Sequence, residues 1–349
     1  KVVVGYWQDE EPVREISDWM RAAVGFAFSN SLKMVRFGDN MCQVAVTEGD
    51  KVESEIKLGW DIEYMGVGAL VDEMKKVTDA QVDEKMKEYA DRYDIDTDNI
   101  DAVRYQAKTE IALRKICGEN GYCAFTTNFQ DLWGMEQLPG LACQNRMADG
   151  FGFGGEGDWK VAAMCAVMKA MAEGKDGGTA FMEDYTYNLV PGKEGILEAH
   201  MLEVCPTIAD GPISIKVNPL SMGDREDPAR LVFTSKTGPA IATSLIDLGD
   251  RFRLIINDVD CKKTEKEMPK LPVATAFWTP QPDLATGAEA WILAGGAHHT
   301  AFSYDITAEQ MGDWAEAMGI EAVYIDKDTQ IRNFKNELKW NSMYYKLNK

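Results

Sequence analysis

Up to about residue 178 the apolar positions switch between two rhythms. "KVVVGYW" at the start is apolar and rich in β-branched residues, and it predicts a strand. "EPVREISDWMRAAVGFAFSNSL" carries apolar residues at helical spacing, with Pro12 near its start. "KMVRFG" predicts a strand, and "QVAVTEGDKVESEIKLG" reads as two strands joined as a hairpin at "EGDK". Helices are predicted over "GALVDEMKKV" and over "DAQVDEKMKEYADRYD", where Thr78 and Gln81 are spaced as a capping box. A third is predicted over "NIDAVRYQAKTEIALRKICGENG", which a glycine ends. "YCAFTTNF" predicts a buried strand, and "LPGLACQNRMADG" and "DWKVAAMCAVMKAMAEG" two further helices. Such alternation implies an α/β layer with a largely parallel sheet.

Beyond residue 178 the runs become short and β-rich, with turns between them: "TAFMEDYTYNLV", "GILEAHMLEVCP", "ISIKVNPL", "ARLVFTSKTG", "AIATSLIDLG" and "RFRLIINDVDC". They predict a mostly antiparallel sheet or barrel. A helix follows at "TAEQMGDWAEAMG", again with a capping box, Thr307 and Gln310. The expected fold class is therefore α/β: a central Rossmann-like domain, then a β-rich, mostly antiparallel, barrel-like C-terminal domain.

Composition narrows the partners. The 349 residues include 57 acidic and 37 basic ones, a net charge of −20. That surface repels phosphate backbones and anionic lipid, which argues against nucleic acid and membrane. No apolar run is long enough to span a bilayer. Seven dispersed cysteines without a CxxC read as free thiols in a reducing cytoplasm. The chain opens on Lys1 and an apolar run, so a longer product is expected.

Several short stretches carry candidate chemistry. "GFGFGGEGDWK" holds a formal G-x-G-x-x-G at Gly150, Gly152 and Gly155. A dinucleotide fingerprint must follow a strand, and the residues before this one read as helical. The glycines are better explained as allowing close backbone packing while Glu156 points into a cavity, with Asp158 capping the next helix. In "FMEDYTY", Glu183 and Asp184 are neighbours in an apolar run, and strand neighbours face opposite sides. One carboxylate must then face an interior, as an ion pair, a metal ligand or an acid/base. The chain has only three histidines, His200, His298 and His299, all in core-like settings. Each alone could be a hydrogen-bonded core residue. Two Glu and two His together would suit Mn²⁺, Co²⁺ or Fe²⁺ more than zinc held by thiolates.

The stretches "FGDNM", "FTTNFQDL", "QLPGLA", "GEGDWK", "GGTAFMEDYTY", "HMLEVCP", "EDPARL", "TGPAIATSLIDLGDRFRL", "PKLPVA" and "EAWILAGGAHHTAFS" together closely resemble the bacterial L-arabinose isomerases, almost from Lys1 to Lys349. The resemblance implies a cytoplasmic aldose–ketose isomerase that interconverts L-arabinose and L-ribulose, with D-galactose to D-tagatose as a second conversion. It implies Mn²⁺ as cofactor, with Co²⁺ as a substitute, and, when the family's N-terminal domain is present, a homohexamer built as a dimer of trimers. Its metal ligands fall on Glu156, Glu183, His200 and His299, and the two glutamates are also its catalytic pair. Its substrate contacts fall on Met41, Phe129 and Met222, although "NPLSMGD" around Met222 departs from the family pattern. His298 is left as a substrate contact, a support for the metal ligands or a structural residue. Cys42 stands where family members often carry a basic residue.

The family also has an N-terminal α/β domain absent from these residues, which helps close a neighbouring subunit's site. Residues 1–32 are then expected to be the tail of that domain, 33–178 the central domain and 179–349 the C-terminal one. Tested alone, residues 1–349 are expected to bind metal but turn sugar over slowly. Which glutamate is base and which acid stays open. So do three other readings: an L-fucose isomerase-like enzyme, a metallohydrolase using the same ligands, and a sugar-binding or assembly module.

Overall fold

The computed structural model describes residues 1–220, 222–264 and 268–347. Its first layer runs α1 (Glu10–Ser29), β1 (Lys33–Phe37), α2 (Lys51–Leu58), β2 (Asp61–Met65), α3 (Val67–Met74), α4 (Asp79–Arg92) and β3 (Asp94–Ile95). It continues through α5 (Ile100–Asn120), β4 (Ala124–Thr127), α6 (Gly140–Ala148), β5 (Gly152–Gly154) and α7 (Trp159–Met171). Four of these strands form a parallel sheet in the order β2-β1-β4-β5. Parallel neighbours need crossover connections, which the intervening helices supply. The carboxyl ends of β1, β4 and β5 all point the same way, and the loops that leave them carry the chemistry described below.

The second layer runs β6 (Thr179–Asn188), β7 (Gly195–Ala199), β8 (Ser214–Val217), β9 (Ala229–Val232), β10 (Gly238–Asp247), β11 (Phe252–Cys261) and β12 (Thr275–Pro280). It ends with α8 (Leu284–Ala294), β13 (His299–Ser303), α9 (Ala308–Met318), β14 (Glu321–Ile325) and α10 (Ile331–Leu347). Six strands in the order β10-β13-β6-β7-β12-β11 close on themselves through a β10–β11 pairing, every step antiparallel. Closure removes the sheet edges. β14 is appended to β11 in parallel. A small sheet, β3-β8-β9, pairs a strand of the first layer with two of the second.

Side chains alternate between the two barrel faces. On the lumen side Trp278 stacks on Phe302, with ring centroids 4.8 Å apart. On the outer side Phe181 meets Phe153, which in turn meets Phe125, at 5.8 and 5.1 Å. This aromatic row runs from β4 through β5 to β6 and joins the layers. Helix α7 lies at the same join and is buried along almost its whole length, which explains why its sequence is apolar on every side. Helix α1 spans both layers: Arg21 donates to the Met171 carbonyl at 2.7 Å, and Trp314 of α9 donates to Ser29 at 3.1 Å.

Both capping boxes form as expected, at Thr78/Gln81 and Thr307/Gln310. The mostly antiparallel barrel and the parallel central sheet are also present. Two local expectations fail. Residues 1–7 form no strand, and Val2, Val4 and Trp7 are exposed. The expected hairpin around "EGDK" is instead a 3₁₀ turn, Ala45–Thr47, followed by α2. Asp50 caps that helix by accepting from the Glu53 amide, and Gly59 ends it in the left-handed conformation. These end signals outweigh the alternation that suggested strands. The glycine stretch follows a helix, α6, as expected, and itself forms the short strand β5.

The glycines of that strand are explained by proximity. A β-carbon on Gly152 would lie 2.0 Å from the Ala162 carbonyl oxygen of α7. Gly152→Ala should therefore force β5 off α7 and destabilise the chain by about 1–3 kcal/mol or more. Gly118→Ala in α5, where the added carbon meets nothing within 4 Å, should instead stabilise by roughly 0.5–1 kcal/mol. Urea unfolding of the two variants checks the opposite signs.

Candidate active site

Three loops leave the carboxyl ends of β1, β4 and β5, where open parallel sheets generally bind ligands. The first contains Met41, the second Phe129 and the third Glu156. The third is the most constrained. Glu156 has φ +63° and Gly157 has φ +81°, so the chain doubles back sharply between β5 and α7. Left-handed backbone is uncommon for a residue other than glycine. The Met41 amide holds the turn by donating to the Glu156 carbonyl at 2.9 Å. A side chain on Gly157 would strike the backbone of Asn40, 2.7 Å away.

The barrel supplies the opposing wall. Register pairs His299 of β13 with Glu183 of β6, and Glu183 with Ala199 of β7. His200 follows Ala199 directly. His299 and Glu183 thus share one row with Ala199, and His200, just beyond the end of β7, joins them on the face turned toward Glu156. Phe181 sits between the imidazoles, with centroids 4.8 Å from His200 and 5.0 Å from His299. Gly155 completes the fit, since a β-carbon there would lie 2.8 Å from His200 Nε2. The glycine stretch therefore serves a close approach to a histidine.

One ligand atom each from Glu156, His200 and His299 lie within 4.8 Å of one another. Glu183 Oε2 stands 4.0 Å from His200 Nε2, and Glu156 Oε2 stands 3.5 Å from His299 Nε2 and 3.8 Å from His298 Nε2. The far nitrogen of each buried imidazole is held: His200 Nδ1 by Glu203 at 2.5 Å, and His299 Nδ1 by Asp158 at 3.0 Å. His299 Nε2 is buried and has no hydrogen-bond partner among the described residues. A carboxylate that holds one ring nitrogen fixes the orientation of the other, the usual support for a metal-binding imidazole. An orphaned, buried, oriented nitrogen facing a carboxylate fits a divalent metal.

Asp158 does more than the expected capping. Its Oδ1 accepts from the Lys160 and Val161 amides at 3.1 and 3.2 Å, while Oδ2 reaches His299. Glu203 was not singled out from the sequence at all, although its position three residues after His200 is visible in "HMLEV".

The charges reinforce one another. Burial pushes the Glu156 carboxyl up, but His298, His299 and His200 outweigh it and hold the group below its ordinary value. Burial likewise opposes the charged form of Asp158, yet Lys160 and His299 bring it down. Burial pulls His200 down, but Glu203, Glu183 and Glu156 raise it to about 9. His298, half-exposed, is raised chiefly by Glu156.

A cavity of about 200 Å³ opens in front of these groups, lined by Glu156, Glu183 and His200. Phe129 and Met222 line it too, with Leu138 and Tyr185. The other two expected substrate contacts, Met41 and His298, are not among its lining residues: Met41 meets Glu156 through the backbone and His298 meets its carboxylate.

Two family models match the chain: the L-arabinose isomerase central domain over residues 33–174 and the L-arabinose isomerase C-terminal domain over residues 178–321. The chain is 56% identical to L-arabinose isomerase 1 of Bacillus licheniformis, over 100% of this chain and 71% of that protein. It is 55% identical to the L-arabinose isomerases of Clostridium beijerinckii and Geobacillus stearothermophilus, over 99% of this chain and 71% of each. The chain belongs to the L-arabinose isomerase family. The stretches quoted above supply the β5–α7 turn, the β6–β7–β13 row and much of the lining of the cavity. Among the described residues no helix is long and apolar enough to cross a membrane.

The His200 shift has a consequence for the metal-free chain. Its folded value, about 9, lies above its ordinary 6.5, so its contribution to stability is complete below 6.5 and is lost as pH rises through 9. His298 adds in the same direction. Chelator-treated chain should lose on the order of 1–3 kcal/mol between those limits. Glu203→Gln should flatten that slope. Denaturant midpoints at stepped pH measure both.

Proposed function

We propose that this chain interconverts L-arabinose and L-ribulose, with a divalent metal held by Glu156, Glu183, His200 and His299. The observation that carries this reading is the convergence of Glu156, His200 and His299 ligand atoms to within 4.8 Å, in a member of this family. The proposed metal is Mn²⁺, with Co²⁺ as a substitute, because mixed carboxylate and imidazole donors suit such ions. Conversion of D-galactose to D-tagatose is part of the proposal.

When bound, the metal supplies Lewis acidity that favours negative charge on the sugar oxygens in the transition state. The chain's residues do the rest. Isomerisation moves one proton between C1 and C2 through an enediol, and another between the two oxygens. Glu156 and Glu183 approach the cavity from opposite layers, one on the β5–α7 turn and one on the barrel. One of them takes the carbon-bound proton and returns it to the neighbouring carbon, while the other serves the hydroxyls. Glu156, held ionised by the facing imidazoles, is ready to accept a proton. Phe129, Leu138 and Met222 give the cavity an apolar side that excludes water and positions the sugar's carbon face. Met41 acts on this site through the backbone of Glu156, and His298 through its carboxylate.

A metallohydrolase with the same ligands, an L-fucose isomerase-like enzyme and a binding module are not favoured, since every relative named above is an L-arabinose isomerase. The proposed location is the cytoplasm, supported by seven free thiols, of which five are buried. Assembly as a homohexamer is supported by exposed apolar side chains on two helices, Ile16 and Met20 on α1 and Trp340 and Met343 on α10.

The ligand assignment is tested by calorimetric Mn²⁺ titration. His200→Ala and His299→Ala should each weaken binding at least tenfold, and His298→Ala less; equal loss in all three would remove the distinction within the histidine pair.

The proton-transfer roles are tested by turnover. Glu183→Gln and Glu156→Gln should each lower the rate of L-ribulose formation by about a hundredfold or more in variants that still bind the metal. Near-normal turnover in either metal-loaded variant would show that its carboxylate transfers no proton.

A further inference from the structure

The neighbour of Glu183 raises a separate question. Strand alternation turns Glu183 outward to the cleft and Asp184 inward to the barrel lumen. There Asp184 lies directly opposite Glu198 in the β6–β7 register. Thr300 of β13 is on the same face, paired with Met182 and diagonal to Asp184. The three line one cavity of about 20 Å³, together with Trp278 and with Trp291 of α8. That is room for a single water-sized occupant.

One polar atom of each of the three lacks a partner. Asp184 Oδ2 accepts from Tyr187 at 2.7 Å, but Asp184 Oδ1, Glu198 Oε2 and Thr300 Oγ1 have no hydrogen bond. Glu198 is 1% exposed and Thr300 4%. No Lys, Arg or His lines the cavity, and among the described residues neither carboxylate has an ion-pair partner. The other deeply buried acids differ. Glu110 meets Lys85 and Arg114, Glu321 meets Arg251 and Arg253, and Glu73 meets Lys76 and Lys115. Asp158 and Glu203 each meet an imidazole. Glu198 stands apart from this rule: burial, Asp184 and Glu183 push its carboxyl well above the ordinary range, so its charged form needs a cation beside it.

We propose that the barrel lumen binds a second divalent cation, held by the carboxylates of Asp184 and Glu198 and the hydroxyl of Thr300. Two carboxylates match its charge. A donor set made only of oxygen selects a hard ion such as Ca²⁺ or Mg²⁺. The ion's role is structural: it neutralises the lumen, faces away from the cleft and touches no sugar. Tyr187, about a third exposed, stands at the mouth and gives the ion its route in.

The test separates this site from the cleft by removing the cleft's imidazoles. The His200→Ala/His299→Ala chain is stripped with chelator, equilibrated with millimolar Ca²⁺ or Mg²⁺, gel-filtered and assayed for metal by mass spectrometry. One ion per chain is expected, with a melting temperature several degrees above the stripped protein. Adding Glu198→Gln should abolish both the ion and the shift, and Thr300→Val should weaken binding about tenfold. Should Glu198→Gln fail to fold, Asp184→Asn in the same background is read by the same ion count. No bound ion in the parent, or an ion retained in the folded carboxylate variants, overturns the proposal and leaves a buried water or a shared proton as the lumen's solution.

Discussion

The contact between Asp158 and His299 is the point on which the rest of the site depends. It joins the start of α7 in one layer to the first residue of β13 in the other. One oxygen of Asp158 satisfies two amides at the helix start, where carboxylates are favoured by the exposed N–H groups. The other fixes an imidazole that is wholly buried and would otherwise be free to turn. Without this contact, only apolar packing and the α1 contacts would join the layers that carry Glu156 and His299. With it, a carboxylate on a tight turn and a nitrogen on a barrel rim keep a fixed separation.

The two layers prepare that contact from either side. The parallel sheet gathers three loops at one end, and the glycines of β5 let α7 lie against it at backbone distance. The barrel places its ligands by register, which closure makes rigid. Between them the Phe125–Phe153–Phe181 row fills the seam with apolar surface, so the polar groups of the site are confined to its mouth. Their environment is consequently dry enough for burial to matter and charged enough for burial to be outweighed, as at Glu156 and His200.

Much of this was legible in the sequence, and the exceptions have physical causes. Long helices with caps, such as α4, α5 and α9, were readable because periodicity and end signals agree. α2 was misread because Val52 and Ile56 are exposed, so their spacing reports no core at all. "KVVVGYW" has the composition of a strand but no sheet edge beside it. Glu156, Glu183, His200 and His299 were singled out through the resemblance and through the rarity of histidine, and the fold brings the ligand atoms of Glu156, His200 and His299 together. The roles of Asp158 and Glu203 were not, because a carboxylate reveals its partner only when the chain is folded. The lumen cluster was half visible: alternation required one of Glu183 and Asp184 to face inward, but Glu198 could meet Asp184 only through the β6–β7 pairing.

The adjacent pairs Glu183–Asp184 and His298–His299 have a further consequence. A strand that slips by one residue exchanges its two faces. Here such a slip would still present a carboxylate and an imidazole to the cleft, so the chemistry of the row would look intact while every bond length in it was wrong. Residue type alone cannot guard this site against misalignment. The guard is the irregularity between Asp184 and Thr186, where β6 breaks step with β7. A strand carrying a bulge fits its neighbour in one alignment only, and the defect in the ladder thereby acts as the key that sets which of two similar neighbours faces the cleft.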